Sequence, residues 1–521
     1  MATIPVFVSG GAGRLASGDK APERGEIRPR PTRLDPFRIA ELVASARRLG
    51  ARHGEHLAGF VNRLLSDEGL LLSDGKSGQW QCTPDANGLL SGLARLAWEM
   101  QTRRRAWPGA GDDVGGPTVV RRAVARKAFG DEVLLERAEA ANLLAGGEEI
   151  RFRHLLLQAY FTAKALASRI EETPPLSAAE LWPAACWWEI RGWEMPAVLL
   201  AGLYGDDCAP VIEWLRDAQP EVAAQCLLHG GAAIADQGAL LKELKDVWLA
   251  RLTDVESDPR PEARAAIGRA LGWLYLDDRR GVDLTPEGLP DIDWAKIRGG
   301  EFIYQDGERR RLEPFSISRY PVTHAQFQAF LDAEDGYANE RWWQGLDAPV
   351  RESKEPGWDL PNHPREMVNW FEAVAFCAWL GHRTGLNLRL PTEWEWERAA
   401  RGTDGKLYPW GDAYKLGYAN VDESRVDGGV HNLATTSAVG IYPQGASREG
   451  VMDLAGNLWE WCLNEYKDPT RIQPGGRAPR ALRGGSWRNA LDSARADFRG
   501  FDHFRPDCRR SDLGFRVVCA T

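Results

Sequence analysis

The chain has 521 residues, 44% of them apolar and 27% charged, with a formal net charge of −9. That length is too great for one core and sets a prior of about three domains. The acidic balance argues against a dedicated nucleic-acid binder, which carries a basic excess. No run approaches the roughly 18 apolar residues of a membrane span, and the start MATIPVFVSGGAG lacks the charged head and long apolar stretch of a signal peptide. A cytoplasmic protein with no membrane and no nucleic-acid partner is therefore expected. The eight cysteines form no CxxC pair and the nine histidines no HExxH, so neither a disulfide framework nor a zinc site is expected. Twenty-two tryptophans, most of them between Trp182 and Trp487, point to large rigid cores and an aromatic binding surface.

Residues 1–35 are rich in Gly, Pro, Arg and Ser and read as a flexible leader. A helical domain is expected over 36–172. There PFRIAELVASARRLG, GEHLAGFVNRLLSDEG and ANGLLSGLARLAWEMQ place apolar residues at three- and four-residue spacing. Two further helices split near Gly130 and Asp131, and a short strand from Ile150 to Arg153 runs into a long helix. Pro174 and Pro175 break the chain. Over 173–285, helices alternate with short turns, from AAELWPAACWWEI to PEARAAIGRALGWLYL, as in a helical-repeat solenoid or a compact bundle. From 286 to 521 Pro, Gly and Asp increase, and two clear helices remain, THAQFQAFLDAE and WFEAVAFCAWLGHRTG. This predicts a loop-rich α+β domain. Within it Thr392 reads as the N-cap of an amphipathic helix.

The segment that closes this domain is framed by Arg483-Gly484-Gly485-Ser486-Trp487 and by Gly514-Phe515-Arg516-Val517-Val518. Its middle, Arg488 to Asp512, has neither helical nor strand period and holds six Arg and five Asp. Apolar, glycine-punctuated ends predict buried strands that present the middle as surface, the usual place for binding specificity.

The ordered motifs IRGGEF, FSISRYPVTHAQFQAFL, PREMVNWFEAVAFCAWL, LRLPTEWEWERAARG, YPWGD, GVMDLAGNLWEWC, LRGGSW and LGFRV resemble the formylglycine-generating-enzyme family. The resemblance implies a variant of the C-type lectin fold. Enzymes of that family use two cysteines, five apart, shortly after the GGS-aromatic segment, to bind copper and oxidise a substrate cysteine. The matching positions here are Asn489 and Ala494, and neither supplies the thiolate that selects Cu(I). The related iron-dependent sulfoxide synthases need a His-rich helical domain, and no such spacing occurs here. No catalysis and no required cofactor are expected. The resemblance also implies a structural calcium ion held by the side chains of Asp453 and Glu460 and the carbonyls of Gly456 and Leu458, an oxygen-only set that suits calcium. The alternative for Asp453 and Glu460 is turn and hydrogen-bond chemistry. A second family site near Asn420 and Val421 lacks an acidic partner.

The same motifs resemble the variable proteins of diversity-generating retroelements, which use this fold as a ligand-binding scaffold and diversify the RGGSW…GFR segment. That implies a protein or peptide ligand at Arg488, Asn489, Ala490, Asp497, Phe498, Gly500, Phe501, Asp502, His503, Phe504, Cys508, Arg510, Ser511 and Asp512. Arg495, Arg499, Arg509 and Arg516 look like scaffold by the family's Arg spacing. The front half, with HGEHLAGFVNRLL, LARLAWEMQ and IRFRHLLLQAYFTAKAL, is similar to the winged-helix and following helical part of STAND-type NTPases of the NACHT group. No GxxxxGK[ST] phosphate loop occurs in the sequence, so the NTPase or effector implied by that likeness is expected on a separate protein. The helical half then docks a partner or transmits a signal. A non-diversified sensor of a STAND-type conflict system is the alternative, and a formylglycine-generating-type oxidase a more distant one.

Overall fold

Apolar residues three and four apart organise the first half. The Pro84–Arg103 helix buries Leu89, Leu93, Leu96, Ala97 and Met100 and packs on the Leu155–Ile170 helix. Gly130, at φ 75, ends the Arg122–Phe129 helix in the left-handed region that glycine tolerates. Asp131 starts the Glu132–Ala140 helix by accepting a hydrogen bond from the Val133 N–H. The computed structural model describes residues 71–73, 80–82, 84–103 and 119–520, apart from 206, 231–233, 349–352, 426 and 501–502. The leader over 1–35 and the helices expected over 36–50 and 54–69 lie outside these residues.

The first half is mainly helical, and the strand expected from Ile150 to Arg153 is found at Glu149–Phe152, but its helical fold class needs correction for the further strands around it. Val120–Arg121, Glu149–Phe152 and Leu144–Ala145 form an antiparallel three-stranded sheet with Glu149–Phe152 in the middle. Leu71–Ser73 pairs with Trp80–Cys82. Two-residue strands are too short for a period-two pattern to register, and only Glu149–Phe152 alternates exposed with buried positions.

The helices Glu194–Leu203, Ala209–Leu215, Pro220–His229, Gln237–Leu252 and Pro261–Trp273 follow. Proline opens or nearly opens three of them, where its missing N–H costs nothing. Trp182, Trp193 and Trp248 are fully buried between these elements. One apolar core runs from the Pro84–Arg103 helix through Pro261–Trp273 and continues into Ala438, Ile441 and Tyr442 of the C-terminal domain. The Pro261–Trp273 helix is the join. Arg264, fully buried, donates from Nε to the Ile441 carbonyl (2.7 Å), and Asn362 donates to the Gly268 carbonyl (2.9 Å). Glu262 meets His431 at 3.1 Å.

The C-terminal domain mixes helices with small sheets. An antiparallel four-stranded sheet runs Leu388–Arg389, Val518–Ala520, Phe315–Ser318, Trp294–Ile297. A second sheet runs Arg480–Arg483, Trp459–Glu465, Leu513–Gly514, its last pairing parallel. The helices His324–Asp332, Trp370–Thr384 and Glu393–Arg401 each open with a complete capping box, Thr323 with Gln326, Asn369 with Glu372, and Thr392 with Glu395. Phe327, Phe330, Phe376, Trp379 and Phe515 interleave edge-on and stacked beneath the first two helices. No helix among the described residues is long and apolar enough to cross a membrane.

The join yields a prediction in which close packing overrides helix propensity. A Cβ on Gly268 would lie 2.7 Å from the Ala438 Cβ, whereas one on Gly238 would meet nothing closer than 3.8 Å. Gly→Ala inside a helix gains up to about 1 kcal/mol of propensity. Gly238→Ala should therefore hold or raise stability in urea titrations, while Gly268→Ala should lower it by about 1–3 kcal/mol through overpacking. A stabilised Gly268→Ala would refute the tight join.

Candidate functional site

The closing segment is held at its ends by strands and along its length by arginines. Arg483, fully buried, pairs with Glu397 and donates to the Ala496 carbonyl (2.9 Å). Arg499 reaches both oxygens of the buried Glu393 at 2.7 and 2.9 Å, and Arg509 both oxygens of Glu372 at 3.0 and 2.9 Å. Arg516 binds Glu460 at 2.6 and 2.7 Å and donates to the carbonyls of Met452 (2.9 Å) and Ser318 (3.0 Å). Arg499, Arg509 and Arg516 therefore serve as frame. Arg495 stays at the surface, 41% exposed, paired with Asp497. The tight turn after the strand needs glycine: Gly485 sits at φ 72, and a Cβ there would lie 2.6 Å from the Ser493 carbonyl oxygen.

Between these anchors Arg488, His503 and Arg510 are exposed, and Asn489, Ala490, Asp497, Phe498, Cys508 and Ser511 are half-buried. Phe501 and Asp502 lie outside the described residues. Three expected surface positions are instead internal. Gly500 donates to the Leu482 carbonyl (2.8 Å), and a Cβ there would lie 2.7 Å from that of Leu482. Phe504 is buried in the aromatic core, and its carbonyl accepts from the Arg480 N–H (3.1 Å). Asp512 is fully buried, 2.7 Å from Arg510 Nε and 3.1 Å from Ser486 Oγ. Asp492, Arg505 and Asp507 join the exposed set. The Trp487 ring packs edge-on against Trp358, centroids 5.2 Å apart, and carries the Arg488 guanidinium at 5.4 Å. Trp358 lies far from the segment in sequence, and no spacing rule links the two.

The positions that bear thiols in the oxidases are spoken for. Asn489 Oδ1 accepts from Trp459 Nε1 (2.9 Å) and lies 2.7 Å from Ser486 Oγ. Ala494 is fully buried. Cys508 is half-buried, and burial pushes its thiol up. Among the described residues no group of three or more His, Cys, Asp and Glu side chains is placed to hold a metal.

The side chains expected as calcium ligands engage protein partners. Both oxygens of Glu460 are taken by Arg516, and Oε2 also accepts from Trp396 Nε1 (2.7 Å). Asp453 Oδ2 accepts from the Gly440 N–H (2.7 Å). At the second position Asn420 donates to the Thr435 carbonyl (2.9 Å), and its own carbonyl accepts from the Asn457 N–H (2.9 Å).

One buried acid escaped the sequence reading. Glu366, fully buried, accepts with Oε1 from the Gly357 and Trp358 N–H groups, and Oε2 has no partner. Burial pushes its carboxyl up to about 7 against those two N–H bonds.

The profile of the sulfatase-modifying factor enzyme 1-like domain matches residues 291–521. A hercynine oxygenase of Mycolicibacterium thermoresistibile is 35% identical over 241 residues, 39% of this chain, and the chain spans half the length of that relative. The inactive C-alpha-formylglycine-generating enzyme 2 of Mus musculus is 31% identical over 282 residues, 44% of this chain and 86% of that protein. Treponema denticola variable protein 1, among solved structures, overlays 44% of this chain and 95% of its own at 23% identity, with a TM-score of 0.33.

Glu366 gives a pH prediction. An acid whose folded value lies above its unfolded one holds a proton that the unfolded chain releases. Its contribution to stability is therefore present below about pH 4.5 and is lost as pH rises to about 7. Glu366→Gln, which mimics the protonated form, should gain on the natural chain between pH 5 and pH 8, by on the order of 3 kcal/mol at most. Paired denaturant titrations at both values check this, and an equal difference at both would rule it out.

Proposed function

We propose that this chain, which belongs to the sulfatase-modifying factor enzyme 1-like family through residues 291–521, uses that domain to bind a ligand rather than to oxidise one. The observation that carries the reading is the fate of the two thiol positions. Asn489 is locked into a hydrogen-bonded turn and Ala494 is buried. Around them the frame arginines are consumed by carboxylates, which leaves Arg488, Asp492, His503, Arg505, Asp507 and Arg510 facing solvent. Arginine, histidine and tryptophan in one nearly charge-balanced segment suit a protein or peptide partner, since Arg and aromatic side chains dominate interface energetics. The C-type lectin-like scaffold, the diversification of the segment and the STAND-like winged-helix role of the first half belong to this same proposal. So does a cytoplasmic setting in which the helical half docks a separate NTPase or effector.

The hercynine oxygenase relative supports the competing oxidase reading. A Cu(I) titration of the full chain against a competing chelator, with oxygen uptake on a cysteine peptide, distinguishes the two. We expect no bound copper and no uptake, and stoichiometric copper with turnover would transfer the chain to the oxidases.

The binding reading has its own test. A random peptide library panned on the immobilised chain should yield peptides whose affinity drops at least ~10-fold on an Arg488→Ala, His503→Ala, Arg505→Ala chain, as for loss of an interface hot spot. Peptides that bind both chains equally would sink it. An adenine-rich near-copy of codons 487–516 beside a reverse transcriptase gene is the expected sign of diversification, and its absence would favour a non-diversified sensor.

A further inference from the structure

The closing segment has a neighbour far from it in sequence, the loop over residues 353–359. Two buried side chains pin that loop. Glu366 Oε1 accepts from the Gly357 and Trp358 N–H groups, and Arg365 donates from Nη2 to the Lys354 carbonyl (2.8 Å). The stretch that carries these two side chains is tied to the end of the segment, where the Met367 N–H donates to the Arg510 carbonyl (3.0 Å). The loop also reaches the segment's start, because the Trp358 ring meets the Trp487 ring edge-on at 5.2 Å. Trp487 Nε1 donates in turn to the Ser511 carbonyl (3.3 Å), so both ends of the segment meet beside the loop. Trp358 and Trp487 are half-buried, and Lys354, Glu355, Gly357 and Asp359 are exposed.

The arginines near this corner differ in what they hold. Arg495, Arg499, Arg509, Arg510 and Arg516 each pair with a carboxylate. Arg488 is exposed, lies over the Trp487 ring at 5.4 Å, and pairs with no carboxylate among the described residues. A guanidinium stacked on an aromatic face can still offer its planar N–H fork to both oxygens of a carboxylate.

We propose that residues 353–359 form a second wall of the ligand site, and that the ligand is a peptide with an aromatic side chain next to an Asp or Glu. The aromatic side chain packs on Trp358 and Trp487, and the carboxylate takes the Arg488 fork. This rests on the binding reading above and adds to it the ligand's chemistry and a contact outside the closing segment. Because buried side chains already hold the wall, little ordering is lost when a peptide binds.

The test uses peptides panned on the immobilised full chain. They should be enriched in Trp, Tyr or Phe adjacent to Asp or Glu, and should bind Trp358→Ala at least ~10-fold more weakly than the natural chain. Arg488→Glu should also reject them, and should prefer the counterpart peptide whose acidic residue is replaced by Lys. Equal binding to Trp358→Ala, or an unchanged preference at Arg488→Glu, would overturn the proposal. The binding reading would survive that result if the Arg488→Ala, His503→Ala, Arg505→Ala chain still lost affinity. If Trp358→Ala does not fold, a benzophenone in place of the peptide's aromatic side chain is photolysed on the natural chain. Crosslinks within residues 355–365 support the wall, and crosslinks confined to other residues overturn it.

Discussion

Buried pairing of guanidinium with carboxylate is the interaction on which the closing segment depends. Arg483 and Arg499 converge on Glu393 and Glu397 of one helix, Arg509 on Glu372 of another, and Arg516 on Glu460 of the central strand. The planar fork of arginine matches both oxygens of a carboxylate, which lysine does not. Such pairs add little net stability over an apolar core, yet removing one partner costs about 3–5 kcal/mol. The frame is therefore intolerant of change. Side chains that point outward between its anchors are worth only about ±0.5 kcal/mol each. A segment built this way can alter its face without altering its fold, which is the physical requirement for a surface that varies.

The same carboxylates do two jobs, and this ties the helices to the segment. Glu372 closes the capping box of its helix by accepting from the Asn369 N–H and also holds Arg509. Glu395 closes its own box and holds Arg389 beside the edge of the four-stranded sheet. Glu393 lies in the first turn of its helix, where the dipole favours negative charge, and gathers Arg499 and Asn464. Each helix start is thus a point where the segment is fastened.

Much of this was legible where the physics is local. Spacing placed the helices, Gly130 and Asp131 marked their boundary, and Thr392 announced a cap. The ordered motifs of the last 230 or so residues indicated their family. Long-range pairing was not legible. A lone Asp512 reads as surface, and only the fold shows it buried under Arg510 and Ser486. The pairing of Glu460 with Arg516, 56 residues on, shows only in the fold. Glu366 and Trp358 join the site from another loop, and neither spacing nor composition ties them to residues 488–512. Of the strands in the first half only Glu149–Phe152 was legible, and its two-residue partners are too short to carry a period.

The join between the halves fixes how they sit on one another. The Pro261–Trp273 helix shares one continuous core with both sides, and its buried Arg264 spans from the Asp258 carbonyl to the Ile441 carbonyl. Asn362 links the Gly268 carbonyl and Asp277 from the opposite domain. A flexible tether would leave the closing segment free to reorient, and these contacts forbid that, so the segment keeps a fixed orientation to the helical half.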